Sequence, residues 1–211
     1  MRYFNIESNR LTYNKIAPLF AQNSGVMIPD QMFVNEFILV LGSDKYVLDA
    51  GCGVGQYSLY LTSKGCNVLG IDNSEKMIYL AQNIVSECHF LLENVLDTQY
   101  KNQFDGVLAN GLFENLTLDQ CKIALHKFYD ALKDDGVVYL SIINGTGEGF
   151  EPEPLAPDLR IYKKRFLPQE FEQILGDEFG IEKVWTIDFV DPSNEGERKH
   201  YLLLRKKQKN V

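Results

Sequence analysis

The chain contains a glycine-rich turn whose spacing allows a ligand to bind to its backbone. Residues 47–55 read Val-Leu-Asp-Ala-Gly-Cys-Gly-Val-Gly, and Asp72 ends the next apolar run. Side chains at the three glycine positions would obstruct so tight a turn, so a ligand can approach bare backbone there. Residues 56–63 predict a helix whose free amide groups face the same space. Since Asp72 lies at the tip of the following strand, it can accept hydrogen bonds from both hydroxyls of a ribose, which indicates an adenosine-type ligand.

The spacing of the glycines separates two classes of adenosine cofactor. A dinucleotide-binding turn has the pattern Gly-x-Gly-x-x-Gly, with a pyrophosphate at the helix N-terminus. Here the glycines occupy positions 51, 53 and 55, position 56 is Gln, and Asp49 precedes them on the strand. A carboxylate at that edge would repel a pyrophosphate but could accept a hydrogen bond from an ammonium group or a backbone amide. The pattern therefore favours a ligand with an α-amino acid group.

These residues resemble the motifs of a known family. The segment Asp49-Ala-Gly-Cys-Gly-Val-Gly55 is similar to the first motif of class I S-adenosylmethionine-dependent methyltransferases, and Asp72 is similar to their ribose-binding acid. The resemblance implies S-adenosyl-L-methionine as the cofactor and S-adenosyl-L-homocysteine as its product. It also implies a cofactor surface that includes Asp49, Ala50, Gly51, Cys52, Gly53, Gly55, Gln56, Asp72, Asn73 and Met77.

Two further segments carry the resemblance. Phe90-Leu-Leu-Glu-Asn-Val95 resembles the third-strand motif. It implies that the side-chain oxygen of Asn94 accepts from the adenine amino group and that the Val95 amide donates to a ring nitrogen. The family more often has Asp at position 94, so Glu93 is the alternative for this role. The other interpretation of Asn94 is a turn residue. Residues 104–112 resemble the fourth-strand motif, which implies that Asn110 and Leu112 line the transfer site; the alternative role for Asn110 is a helix cap.

The N-terminal segment Tyr13-Asn-Lys-Ile-Ala-Pro-Leu-Phe20 resembles the helix that covers the cofactor in small-molecule members of the family. By that resemblance Tyr13 contacts the ligand. The alternative is an amphipathic helix that packs on the sheet through Ile16, Leu19 and Phe20. The two interpretations are compatible.

Strands and helices alternate as a doubly wound α/β fold requires. Two further strands, Ile181–Val190 and His200–Arg205, are joined by a link so short that they must be antiparallel. We therefore predict a Rossmann-like, seven-stranded, mainly parallel sheet with a C-terminal antiparallel hairpin. The chain forms one domain, 1–211, with an N-terminal helical cap (1–41) and a substrate lid (145–166). The predicted strands are Tyr46–Ala50, Val68–Asp72, Phe90–Glu93, Gly106–Asn110 and Val137–Asn144, and the predicted helices are Gln56–Ser63, Glu75–Asn83 and Leu118–Leu132, the last begun by a capping box of Thr117 and Gln120 and ended by a turn at Asp134–Gly136.

Methyl transfer from a sulfonium needs the nucleophile, the methyl carbon and the sulfur to be held in line, and positioning supplies much of the rate. A general base is needed only if the nucleophile is protonated. The sequence predicts no metal and no obligatory triad, and the candidate bases are His200, Glu114 and Tyr162. Glu148, Glu151 and Glu153 face either a cationic substrate or solvent. Tyr162 and Arg160 are equally well placed to contact a substrate, and the sequence does not choose between them.

Composition and charge restrict the partners. The net charge of −8 disfavours nucleic acid, because phosphate contacts require a basic face. The fourth strand lacks the Asn/Asp-Pro-Pro-aromatic tetrad of enzymes that methylate exocyclic base nitrogens, and the chain lacks a Pro-Cys nucleophile for cytosine. No apolar run approaches the ~18 residues needed to span a membrane. The scattered cysteines, including a buried Cys52, indicate reduced thiols in the cytoplasm; the oligomeric state cannot be read.

Three hypotheses follow for the function. The leading one is a small-molecule methyltransferase. The second is an oxidoreductase that binds a nicotinamide cofactor, NAD(P), against which Asp49 and the glycine spacing argue. The third is a non-catalytic S-adenosylmethionine-binding protein, which turnover with any acceptor would eliminate.

Overall fold

The computed structural model describes residues 3–23, 30–42, 44–189 and 196–208. A short 3-10 helix, Phe113–Asn115, follows the fourth strand. The α-helices are α1 (Phe4–Asn23), α2 (Gln31–Leu41), α3 (Gln56–Ser63), α4 (Glu75–Ile84), α5 (Leu118–Ala131) and α6 (Pro168–Leu175). The strands are β1 (Tyr46–Ala50), β2 (Asn67–Asp72), β3 (His89–Leu92), β4 (Phe104–Ala109), β5 (Leu132–Ile143), β6 (Glu148–Glu153), β7 (Ala156–Lys164), β8 (Phe179–Phe189) and β9 (Glu197–Lys206).

The main sheet has seven strands in the order β3-β2-β1-β4-β5-β9-β8. Strands β1 to β5 are parallel, whereas β9 is antiparallel to both of its neighbours, β5 and β8. This confirms the predicted mainly parallel, Rossmann-like sheet with a C-terminal antiparallel hairpin. The order reverses between β1 and β4, so the loops after these two strands diverge and leave a crevice at the carboxyl edge of the sheet.

Helices cover both faces of the sheet, because successive residues of each central strand point to opposite sides. Leu48 of β1 packs in one buried cluster with Phe128 of α5. The preceding residue, Val47, packs in the other cluster with Phe37 of α2 and Leu61 of α3. This two-sided burial explains why the strands that precede the crevice are nearly continuous apolar runs.

The predicted central elements agree with the structure within two residues at each end, except that β5 begins at Leu132 rather than Val137. The capping box of Thr117 and Gln120 is present at the start of α5. The predicted turn at Asp134–Gly136 is wrong as a separate element. These residues belong to β5, where the pairing with β4 shifts register, and Asp135 supplies the left-handed backbone conformation with φ 61°.

The remaining differences lie in segments without a clear periodic pattern. Helix α1 is longer than the predicted Tyr13–Phe20. The sequence gave no bounds for α2, which lies within the predicted helical cap (1–41), and α6 was not predicted. Within α1, Ile16 is buried as predicted, but Leu19 is 42% exposed and does not pack on the sheet. Much of segment 145–166, predicted as a lid, forms the β6–β7 hairpin. The predicted loop 191–196 and Val190 lie outside the described residues, apart from Gly196.

Gly55 begins α3 in a conformation that only glycine adopts easily, and we expect Gly55→Ala to destabilise the fold. Its φ is 83°, and a Cβ would lie 3.0 Å from the Phe90 ring and 3.1 Å from Val85. Gly65→Ala is the matched control, since its φ is 87° but a Cβ there meets nothing within 4 Å. The conformational strain of each alanine costs about 1 kcal/mol, and overpacking adds about 1–3 kcal/mol at position 55 only. Equal losses of unfolding free energy in urea would contradict this expectation.

Candidate functional site

A cavity of about 330 Å³ lies at the carboxyl edge of the sheet, where the strand order reverses. Its volume is typical of sites for small molecules. Its walls come from α1, the loops after β1 to β4, the β6–β7 hairpin and β9. The predicted cofactor residues that line it are Tyr13, Gly51, Gly53, Asp72, Asn73, Met77, Asn94, Val95, Asn110 and Leu112.

The glycine turn after β1 forms the floor of this cavity. The amides of Gly51 and Cys52 both donate to the carbonyl oxygen of Ile71 on β2, at 2.8 and 3.0 Å. Gly51 and Gly53 have φ values of 75° and 54°, in the left-handed region. A Cβ on Gly51 would come within 3.3 Å of Leu112. The glycines therefore keep bare backbone facing the cavity.

Asp72, at the end of β2, holds the glycine turn and faces the cavity. Its Oδ2 accepts from the Gly53 amide at 3.0 Å, and its Oδ1 accepts from the Ser74 amide at 2.8 Å. Burial raises the pKa of Asp72, and these backbone donors oppose that rise. Each carboxylate oxygen has a second lone pair, so the side chain can still accept from a ligand.

The turn after β3 continues the wall. The side-chain oxygen of Asn94 accepts from the Leu96 amide at 3.0 Å, so Asn94 is a turn residue that also lines the cavity. Glu93, the alternative for the same role, also lines the cavity and accepts from the Tyr100 hydroxyl at 2.5 Å. Both residues thus have acceptor oxygens beside the cavity, each with one partner already in place.

Tyr13 of α1 lies where several acidic groups converge. Its hydroxyl donates to the side-chain oxygen of Asn115 at 3.2 Å. Burial raises the pKa of Tyr13, and the carboxylates of Glu114, Glu153 and Asp72 raise it further. The phenol therefore stays protonated and can donate.

Helix α1 is fixed over the cavity by polar contacts with two other elements. The Asn9 side chain donates to the Tyr162 carbonyl at 3.0 Å and accepts from the Tyr162 amide at 2.7 Å, which joins α1 to the hairpin. Arg10 pairs with Glu75 of α4 at 2.6 Å. Phe20 near the end of α1 lines the cavity and would lie 3.8 Å from a Cβ on Gly53. The helix therefore acts as a roof.

Asn110 is held by a buried polar network rather than by capping a helix. Its side-chain amide donates to the Tyr57 hydroxyl and, at 3.4 Å, to Asp30 Oδ2. Asp30 is 1% exposed and also accepts from Tyr57 at 2.6 Å and from Tyr139. Burial raises the pKa of Asp30. This network fixes the end of β4 beside the cavity.

A partly buried ion pair joins the 3-10 helix after β4 to β9 on one side of the cavity. Glu114 is 5% exposed, and its Oε1 lies 3.4 Å from Lys199 Nζ. The other oxygen, Glu114 Oε2, is buried without a hydrogen-bond partner among the described residues. The charge of Glu114 raises the pKa of Lys199, so the ammonium stays protonated.

Sequence reasoning named Glu114 but missed Lys199 and two further polar residues of this wall, Lys163 and Asn115. Lys199 directly precedes His200 on β9, and adjacent side chains on a strand point to opposite faces. The alternation would have identified Lys199 only if the face of β9 that meets the cavity had been known.

Five predicted cofactor residues do not line the cavity: Asp49, Ala50, Cys52, Gly55 and Gln56. Asp49 is 2% exposed and accepts from the Ser58 hydroxyl at 2.6 Å, so its partner is helix α3. Burial raises the pKa of Asp49 to about 7. Burial also raises the pKa of the Cys52 thiol, which leaves it a poor nucleophile.

Of the three candidate bases, only Glu114 lines the cavity. His200 does not line the cavity, and its Nδ1 pairs with the Thr186 hydroxyl at 2.9 Å. Tyr162 does not line the cavity either, and it is 7% exposed. Burial raises its pKa. Arg160 donates to the Phe150 carbonyl at 2.6 Å within the hairpin.

The three glutamates of the hairpin have different surroundings. Glu151 pairs with Arg165 at 2.9 Å, and Glu148 lies 3.7 Å from Lys164. Only Glu153 lines the cavity. The cavity nevertheless has an excess of acid, which favours a cationic ligand: its charged lining residues are Asp72, Glu93, Glu114, Glu153, Lys163 and Lys199.

No group of three or more His, Cys, Asp or Glu side chains within the described ranges is arranged to hold a metal ion. In that same part of the chain, none of the helices combines the length and apolar character needed to cross a membrane.

Comparisons of the sequence identify relatives over its central part. Residues 47–136 match the profile of a family described as a methyltransferase domain. The malonyl-[acyl-carrier protein] O-methyltransferase of Salmonella typhimurium is 29% identical over 128 residues, which are 59% of this chain and 49% of that protein. The chain spans about half the length of the first curated relatives that it matches.

Solved structures match a larger share of the chain than the related sequences do. A SAM-dependent methyltransferase from Methanosarcina mazei has a TM-score of 0.73 at 18% identity, over 85% of this chain and 98% of that one. The 1,6-didemethyltoxoflavin-N1-methyltransferase of Burkholderia thailandensis, solved with 1,6-didemethyltoxoflavin and S-adenosylhomocysteine, has a TM-score of 0.75 at 20% identity, over 99% and 91% of the two chains. At these identities the likeness establishes the fold.

Proposed function

We propose that this chain transfers a methyl group from S-adenosyl-L-methionine to a small-molecule acceptor. The premise is that it belongs to the class I S-adenosylmethionine-dependent methyltransferases. One observation carries the proposal. Asp72 faces the cavity while it accepts from the amides of Gly53 and Ser74, so a single carboxylate both shapes the glycine turn and offers acceptors beside it. This is the arrangement that a ribose next to bare backbone requires.

The chemistry of the lining fits this cofactor. The acceptors of Asp72 suit the ribose hydroxyls, and Asn94 with Val95 lies on the next strand end, at hand for an adenine edge. The glycine turn leaves room beside backbone groups, which suits an amino acid moiety. The acidic excess of the lining favours a ligand that carries a sulfonium and an ammonium group.

Bound S-adenosylmethionine would supply a methyl carbon on a cationic sulfur that is already activated toward a nucleophile. The chain's own residues then have three tasks. Asp72 and the glycine turn fix the position of one reactant, since positioning supplies several kcal/mol of the barrier. Tyr13 and Phe20 of α1 cover the cavity and limit the access of water. Asn110, held by Asp30 and Tyr57, keeps this part of the cavity wall in one shape.

The acceptor is proposed to enter on the side of the β6–β7 hairpin, which acts as the lid within segment 145–166. Glu153, Pro154 and Lys163 of this hairpin line the cavity. The net charge of −8 supports a small molecule rather than nucleic acid as the acceptor.

Calorimetric titration of the purified protein tests the cofactor class. We expect S-adenosylhomocysteine to bind with a Kd of roughly micromolar size, about −8 kcal/mol, and NADH not to bind. Preference for NADH would overturn the proposal at its first step. Methylation of any acceptor in the presence of S-adenosylmethionine would then eliminate a purely binding role.

A further inference from the structure

We infer that the methyl acceptor is a small organic acid whose nucleophile is an O–H or N–H group close to its carboxylate. This inference rests on the proposed function. Lys199 binds its carboxylate and Glu114 receives its proton. Both residues line the cavity, yet they are 85 positions apart in the sequence.

The position of Glu114 and Lys199 in the cavity indicates that they contact the methyl acceptor rather than the cofactor. Asp72 ends β2. Glu114 follows β4 and Lys199 is on β9, and both of these strands lie on the opposite side of β1 in the sheet. Leu112, just before Glu114, packs against the Cβ position of Gly51. Glu114 and Lys199 therefore occupy the half of the cavity that lies beyond the glycine turn, away from the ribose-binding acid.

Glu114 has an unused acceptor atom. Its Oε2 is buried and has no hydrogen-bond partner among the described residues. A buried polar atom left in this way costs stability, which a ligand O–H or N–H would restore. Because a carboxylate has only acceptors, the ligand group that meets it must be a donor.

The ammonium groups of this half are only loosely paired. Lys199 Nζ lies 3.4 Å from Glu114 and 4.0 Å from Glu197, and Lys163 Nζ lies 3.8 Å from Glu151. Charge-assisted hydrogen bonds are usually 2.7–2.9 Å long. Two lysines whose carboxylate partners all lie beyond that distance favour an acceptor that brings its own anionic group.

The transfer step balances with these residues. The lone pair of the acceptor oxygen or nitrogen forms a bond to the methyl carbon. The methyl–sulfur bond breaks, and its electron pair stays on the sulfur of the thioether product. The proton of the acceptor O–H or N–H passes to Glu114 Oε2, so the carboxylate acts as the general base.

Matched probes test the inference on the protein saturated with S-adenosylhomocysteine. Salicylate, anthranilate, 3-hydroxybutyrate and 3-aminobutyrate carry both groups. Phenol, aniline, 2-propanol and isopropylamine lack the carboxylate, and benzoate and butyrate lack the donor. We expect at least one probe with both groups to bind about 10-fold more tightly than either of its partial analogues. If no such preference appears while S-adenosylhomocysteine binds, the inference fails and the proposed function stands. If S-adenosylhomocysteine does not bind, the proposed function itself fails.

Variants assign the two roles. Lys199→Met should reduce the preference for the probe with a carboxylate about 10-fold. Glu114→Gln should reduce the rate of methyl transfer to the best-binding probe about 100-fold. Neither variant should change the affinity for S-adenosylhomocysteine. Lys183→Met is the control, because Lys183 pairs with Glu36 at 2.5 Å on an exposed part of β8. Lys199→Arg and Glu114→Asp keep the charges and should retain more of the preference and of the rate than the neutral variants do. Neutral variants equal to the parent, or charge-keeping variants no better than the neutral ones, would overturn the assignment.

Discussion

Replacing Asp72 with alanine is expected to weaken the binding of S-adenosylhomocysteine by about 2–3 kcal/mol, roughly 30- to 150-fold. Two losses add up in this variant. The ribose loses a charged acceptor. The Gly53 amide also loses its partner at 3.0 Å, so the glycine turn is no longer fixed for the ligand. Calorimetry measures the effect directly.

Two companion variants separate these losses. Asp72→Asn keeps one acceptor oxygen but must turn an NH₂ group toward either the Gly53 amide or the Ser74 amide, so we expect an intermediate affinity. Asp97→Asn, an exposed carboxylate after β3, should bind as the parent does. Unchanged affinity in Asp72→Ala would mean that the ribose lies elsewhere.

The part of the cavity around the glycine turn was predictable from the sequence because its requirements are local. A left-handed turn needs glycine, and Gly51 and Gly53 have that conformation. A strand tip places its acid at the sheet edge, and Asp72 lies there. The capping box of Thr117 likewise depends on a residue only three positions away. In each case the residue type and a short spacing fix the geometry.

The acceptor half was not predictable in the same way, because it depends on contacts between distant segments. Lys199 of β9 meets Glu114, which follows β4, although β5 lies between these two strands in the sheet. His200 and Lys199 are neighbours on β9, and on a strand one residue exchanges the two faces, so Lys199 lines the cavity and His200 does not. The hairpin β6–β7 has glycines and prolines typical of a loop, yet its pairing with itself and its contacts with Asn9 give it regular structure.

Asp49 gives the second large prediction: the stability of the ligand-free protein should fall as the pH rises from about 4 to about 7. Burial raises the pKa of Asp49 from 3.8 to about 7, the Ser58 hydroxyl opposes the rise, and the charge of Asp72 adds to it. Between these values the folded state keeps a proton that the unfolded state has lost. The difference corresponds to about 4 kcal/mol of unfolding free energy.

The variant Asp49→Asn isolates this contribution, because its side chain has the same shape, stays neutral at every pH and can still accept from Ser58. Groups such as Glu75 and Asp105, whose pKa values are lowered by their partners, act with the opposite sign in more acidic solution, but they are present in both proteins. The variant should therefore match the parent near pH 4 and exceed it in unfolding free energy above pH 7, as measured by urea unfolding. Parallel pH profiles would mean that Asp49 is ionised in the folded state and finds a further partner there. The expected divergence would instead mean that the strand before the glycine turn carries a proton in the ligand-free protein, which a cationic ligand nearby would tend to displace.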